Sequence, residues 1–216
     1  VREVMEAENN RLAELREVLY GAKAPKFKPE PKLLTLDGLN ESQNEAVALV
    51  DRAKDIALVH GPPGTGKTTT LVRAVKHVLK NEKQVLVCAA SNLAVDLLTE
   101  RLGEQGIRVL RLGHPARITE SILHHSLDAQ ISVHPSYKEL KLLQREADDV
   151  RKKAFKFKRN FGHEERQQRR ELIAESKALR KQAYKVEEYI LDSLLDGAQV
   201  ITCTLVGATG EHIRNR

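Results

Sequence analysis

Residues 61 to 68 read Gly-Pro-Pro-Gly-Thr-Gly-Lys-Thr and satisfy every fixed position of the phosphate-binding pattern G-x-x-x-x-G-K-[ST]. Gly61, Gly64 and Gly66 let the backbone turn tightly and bring successive N–H groups up to phosphate oxygens. A helix starting near Lys67 points the positive end of its dipole at the same anion. Pro62 and Pro63 have no N–H to offer, so the cradle falls to Gly64, Thr65, Gly66, Lys67, Thr68 and Thr69. Lys67 is expected to reach the β and γ phosphates, and the Thr68 hydroxyl to be a ligand of Mg²⁺. The first expectation is therefore binding of a nucleoside triphosphate with its magnesium ion.

Such a loop works only at a strand-to-helix turn. The apolar run from Asp55 to His60 reads as the strand, and Thr68 to Leu79 has helical spacing. Further strands are expected at 84–88, 107–112 and 199–203, with helices at about 41–52, 67–80 and 93–105. This alternation predicts an α/β fold, a mainly parallel sheet with helices on both faces. Residues 1–21 carry apolar side chains at helical intervals and predict one amphipathic helix ended by Gly21. Residues 22–36, with Pro25, Pro29 and Pro31 among lysines, read as a linker without regular structure.

The stretch 138–195 interrupts the alternation with two apolar stripes at helical spacing, which predicts an antiparallel helical hairpin turning near Asn160 and Gly162. Charge gathers there: residues 138–189 hold 16 Lys/Arg against 10 Asp/Glu, which accounts for the +6 of the whole chain. Residues 151–170 hold nine basic and two acidic side chains. Lys152, Lys153, Lys156 and Lys158 are candidates for contact with a second, polyanionic ligand, or else form a solvated face. Phe155, Phe157 and Phe161 either stack on bases or pack the tip of the hairpin itself.

No apolar run approaches the length of a membrane span and no signal-peptide pattern opens the chain, so a soluble, cytoplasmic monomer without a membrane partner is expected. Cys88 and Cys203 each close an apolar run and read as buried reduced thiols. His114, His124, His125 and His134 fit no zinc spacing.

Three further segments give the loop a family context. Leu39-Asn-Glu-Ser-Gln43 resembles the glutamine motif of superfamily 1 helicases, Cys88 to Arg101 resembles their first nucleic-acid-contacting motif, and Val200 to Ala208 resembles a later strand-and-turn motif. The order is similar to that in the branch of the nonsense-mediated-decay and immunoglobulin mu binding protein helicases. Arg111-Leu-Gly-His-Pro-Ala-Arg117 and Ser126-Leu-Asp128 bring it nearest the latter. The resemblance runs from about Leu33 onward. It implies a P-loop NTPase of RecA-like fold over 37–137, an inserted basic hairpin over 138–195 and a return to the sheet over 196–216. Residues 1–21 then correspond to the end of a stalk helix.

The implied activity is ATP-driven 5′ to 3′ translocation on single-stranded DNA or RNA. Asn40 and Gln43 are then expected at the adenine, where an amide donates and accepts at once. Ser91 and Asn92, between a strand and a helix, are expected to bind a backbone phosphate, although Ser91 as a plain N-cap reads the same. Thr202 and Thr204 either present hydroxyls to a phosphate or fill a strand. The chain has no Asp-Glu dipeptide of the kind that supplies the catalytic carboxylates in this family. It is thus expected to stop before the strand that carries them, and to bind nucleotide without hydrolysing it alone. The alternative is a nucleotide-gated RNA- or DNA-binding clamp that does not unwind.

Overall fold

A computed structural model describes residues 2–29, 34–156, 162–210 and 213. It divides into two compact units, Val1–Val85 and Leu86–Arg216.

In the first unit the predicted amphipathic helix is broken in two, α1 (Arg2–Met5) and α2 (Arg11–Leu19). The break is local chemistry: Asn9 adopts a left-handed φ of 53°, and the Asn10 side chain caps α2 by accepting from the Ala13 N–H at 3.0 Å. The expected single helix over 1–21 is corrected accordingly. The proline-rich segment is not wholly irregular either. Phe27 forms an antiparallel bridge to Ala53, flanked by Lys28 N–H to the Arg52 carbonyl (2.7 Å) and Lys54 N–H to the Lys26 carbonyl (2.9 Å). Asp55 ties this bridge down by accepting from the Lys26 N–H at 2.7 Å and from Arg11.

Helix α3 (Glu41–Arg52) starts at a capping box: the Asn40 side chain accepts from the Gln43 N–H and the Gln43 side chain accepts from the Asn40 N–H. Helix α4 (Lys67–Val78) starts at Gly66, and α3 packs on α4. The expected strand over 55–60 does not form. A strand needs a neighbour to complete its ladder, and none of the described strands pairs with this segment, whose Leu58 is 84 % exposed.

The second unit is built on a three-stranded sheet of β1 (Val85–Ala89), β2 (Val109–Arg111) and β3 (Val200–Thr204), in the order β1-β3-β2. Strands β2 and β3 run parallel with Leu110 opposite Ile201. A parallel pair requires a long crossover, and here, among the described residues, it contains the α-helices α6 (Leu127–Val133), α7 (Tyr137–Ala154) and α8 (His163–Gly197). Helix α5 (Asn92–Gly103) links β1 to β2 and packs on both β2 and β3. Leu110, Leu112, Leu195, Ala198, Ile201 and Cys203 form the core beneath the sheet.

Helices α7 and α8 are the antiparallel hairpin. Leu140 near one end packs with Ala183 and Ile190, while the Ser176 hydroxyl donates to the Ala147 carbonyl at 2.8 Å and Arg180 pairs with Asp148 at 3.0 Å. The two cysteines lie on adjacent strands with sulfurs 3.7 Å apart and no disulfide. Burial, then the contact with Cys88, pushes the Cys203 thiol up to about 12. Among the described residues no helix is long and apolar enough to cross a membrane.

Candidate nucleotide and strand-binding sites

The phosphate loop and helices α3 and α4 enclose a cleft of about 560 Å³ in the first unit. Asn40, Gln43, Gly61, Thr65 and Lys67 line its polar side; Ala46, Val50, Leu71 and Ala74 line the other. Gly64 and Gly66 hold left-handed φ values of 82° and 76°, which turn the loop back toward the start of α4. At Gly66 the constraint is double, because a Cβ there would lie 2.7 Å from the Gln43 amide nitrogen.

The upstream glutamine and the loop are in direct contact: Gln43 Nε2 donates to the Thr65 carbonyl at 3.0 Å. Both ends of that amide are engaged, since Oε1 accepts from Asn40. Gln43 therefore supports the loop directly, and its amide keeps one further N–H and one further lone pair for another partner. Asn40 serves as the cap of α3. Lys67 curls back over the loop, its ammonium donating to the carbonyls of Gly61 (2.7 Å) and Pro62 (2.8 Å). Those two carbonyl oxygens occupy the role that phosphate oxygens take when an anion fills the loop. Thr68 is half-buried and Thr69 exposed in the first turn of α4. Left-handed glycines, a cationic side chain on loop oxygens and first-turn N–H groups fit a polyphosphate.

The second site candidate is the start of α5. Ser91 caps the helix, its oxygen accepting from the Ala94 N–H at 3.2 Å, which leaves the hydroxyl proton to donate. Asn92 is half-buried, with Oδ1 accepting from Arg111 Nη2 at 3.0 Å. The pair of threonines separates. Thr202 is fully buried and its hydroxyl meets that of Thr99 at 2.7 Å, so it joins β3 to α5 and does not face a ligand. Its expected phosphate contact is corrected: the position inside the sheet decides. Thr204 is half-buried at the strand end, where its oxygen accepts from the Gly207 N–H at 3.1 Å.

Beneath the α5 start lies an ion pair that sequence reasoning missed. Arg111 has no exposed surface; its Nε lies 2.9 Å from Asp96 Oδ1, and its Nη1 donates to the Leu112 carbonyl. The other Asp96 oxygen accepts from both the N–H and the hydroxyl of Thr119 at 2.8 Å. The available signal was a charge inside each of two otherwise apolar runs, Val109-Leu-Arg-Leu112 and Val95-Asp-Leu-Leu98.

At the hairpin tip Phe155 is exposed, and the guanidiniums of Arg169 and Arg151 lie 4.6 Å and 5.9 Å from its ring centre. Lys152, Lys153 and Lys156 are exposed beside it, Lys152 3.5 Å from Asp149. Phe157, Lys158, Asn160 and Phe161 lie outside the described residues.

A family model described as an AAA domain matches residues 38–216. Mus musculus DNA-binding protein SMUBP-2 is 38 % identical over 199 residues, covering 91 % of this chain and 19 % of that protein. The DNA polymerase alpha-associated DNA helicase A of Schizosaccharomyces pombe is 38 % identical over 178 residues, 82 % of this chain and 26 % of its own length. The ATP-dependent helicase upf1 of the same yeast is 35 % identical over 201 residues, 88 % of this chain and 19 % of its own. The chain thus spans about a fifth to a quarter of the relatives it matches.

Proposed function

The chain belongs to the superfamily 1 helicases, in the branch of the nonsense-mediated-decay and immunoglobulin mu binding protein helicases, with the RecA-like P-loop fold of their first domain, and from that premise we propose that it is the ATP- and strand-binding part of an ATP-dependent translocase on single-stranded nucleic acid. Residues 37–137 and 196–216 make up the RecA-like body, 138–195 the inserted basic arm, and 1–21 the end of a stalk. The observation that carries the reading is the hydrogen bond from Gln43 to Thr65, which joins an adenine-motif residue to the phosphate loop it has to work with.

Mg-ATP supplies the phosphoanhydride whose cleavage drives movement. Lys67 would exchange the Gly61 and Pro62 carbonyls for the β and γ phosphates, Thr68 would hold the magnesium ion, and the N–H groups from Gly64 to Thr69 would hold the remaining oxygens. Ser91, Asn92 and Thr204 meet the backbone of the strand. Lys152, Lys153, Lys156 and Lys158 extend the electrostatic track.

The experiment is Lys67→Ala in the full-length protein, assayed for nucleic-acid-stimulated ATPase and for strand displacement. Loss of one such clamp typically costs about 10²- to 10³-fold in rate. An unchanged rate in a normally folded variant removes the loop from the reaction. Full ATPase activity in the wild type without strand displacement favours a clamp over a motor.

A further inference from the structure

Arg111 is a donor-only side chain with no exposed surface, and each of its nitrogens is committed to a different acceptor: Asp96, the Leu112 carbonyl and the Asn92 side chain. The first two contacts lock the guanidinium plane. Gly113 closes the space behind it, since a Cβ there would lie 2.8 Å from Nη1. The third contact then dictates chemistry, because a guanidinium nitrogen 3.0 Å from the end of an amide accepts only its oxygen as partner. The Asn92 amide is thereby fixed in one of its two flips, with Oδ1 on the buried cation and the NH₂ turned away from it.

We propose that Arg111 is a positioning residue for strand binding: by holding the Asn92 carbonyl it commits the Asn92 NH₂ to donate, so that the start of α5 offers a phosphate donors only. The proposal rests on the reading that this helix start receives a nucleic-acid backbone phosphate. Ser91 is biased the same way, for its oxygen already accepts from the Ala94 N–H and its proton remains to donate. The first-turn N–H groups of Asn92 and Leu93 precede any intrahelical acceptor. Without the Arg111 contact the Asn92 amide samples both flips before a ligand arrives and has to take up the donor orientation on binding, whereas the contact selects it beforehand. Asp96 holds Arg111 and is itself held by Thr119, so the ordering runs from the loop after β2 into the helix start.

A double-mutant cycle in the full-length protein tests this, with the affinity for labelled single-stranded oligo-dT and oligo-U as readout. Asn92→Ala is expected to weaken binding about tenfold or more, the loss of one hydrogen bond to a charged group. Arg111→Lys keeps a cation beside Asp96 but loses the fork to Asn92, and is expected to weaken binding several-fold in the wild-type background. In the Asn92→Ala background the same change is expected to cost nothing further. Mg-ADP affinity is expected to hold in all of them. If Asn92→Ala binds both oligonucleotides as the wild type does, the strand-binding reading of α5 fails. If Asn92→Ala weakens binding while Arg111→Lys acts equally in both backgrounds, that reading stands and the positioning role is overturned. Asn92→Asp covers the case in which Arg111→Lys does not fold: it keeps an acceptor for Arg111 and replaces the NH₂ with a second acceptor. Its loss is expected to exceed that of Asn92→Ala, and an equal or smaller loss overturns the proposal.

Discussion

Arg111 Nε and Asp96 Oδ1 are 2.9 Å apart, with the two side chains 0 % and 5 % exposed. Removing one member of such a pair leaves an uncompensated buried charge, which costs about 3–5 kcal/mol, whereas replacing both with apolar groups is often neutral. Asp96→Leu alone is accordingly expected to lower stability by about 3–5 kcal/mol in urea unfolding, and Arg111→Met alone likewise. The double variant Asp96→Leu, Arg111→Met is expected to recover much of that loss. Strictly additive losses in the cycle would mean that the two groups are stabilised independently.

For the hairpin, neutralising Lys152, Lys153, Lys156 and Lys158 together is expected to weaken single-strand binding and flatten its salt dependence. Each phosphate contact contributes about 0.7 to the log–log slope, so four contacts amount to a change of about 3. The measurement compares affinities of wild type and variant at several salt concentrations. Equal slopes would identify these lysines as a solvated face.

The thiols differ in environment. The Cys203 thiol is pushed up to about 12 by burial and its side chain has no exposed surface, so it is both poorly ionised and out of reach. Alkylation of the native protein is expected to modify the half-buried Cys88 and spare Cys203 until denaturant is added. Mass spectrometry of digested adducts reads this directly, and rapid native labelling of Cys203 contradicts the burial.

Asp55 is held below the ordinary carboxylate range, first by the Lys26 N–H and then by the Arg11 guanidinium. A depressed folded-state value means that the stabilisation is present above the unfolded value of about 4 and is lost as pH falls below it. The bridge between Phe27 and Ala53 is expected to loosen in that acid range. Hydrogen exchange at the Lys28 and Lys54 amides checks it, and Asp55→Asn is expected to abolish the pH dependence.

Elements with local signals were legible in the sequence. The cap at Ser91 and the glycines before Lys67 mark the starts of α5 and α4 within a residue or two, and the apolar runs at β1, β2 and β3 lie where expected. What failed depends on partners far along the chain. The run Asp55 to His60 has strand composition, yet a ladder is a property of two segments and only one is visible to composition. Thr202 and Thr204 look alike in sequence; one residue of alternation and the end of the sheet separate an interior hydroxyl from one at a turn. The Asp96–Arg111 pair joins a helix to a strand 15 residues away and carries no periodic signature.

Helix α8 is continuous for 35 residues, with Leu195 fixed in the core beneath the sheet and Arg166, Arg169 and Arg170 near its opposite end. At 1.5 Å per residue the separation from Leu195 to Arg166 is about 44 Å. A tilt of about 10° at the anchored end would carry Arg166 through about 8 Å. Length alone thus makes the hairpin an amplifier: a small rotation about Leu195 would be read out as several ångströms at Arg166.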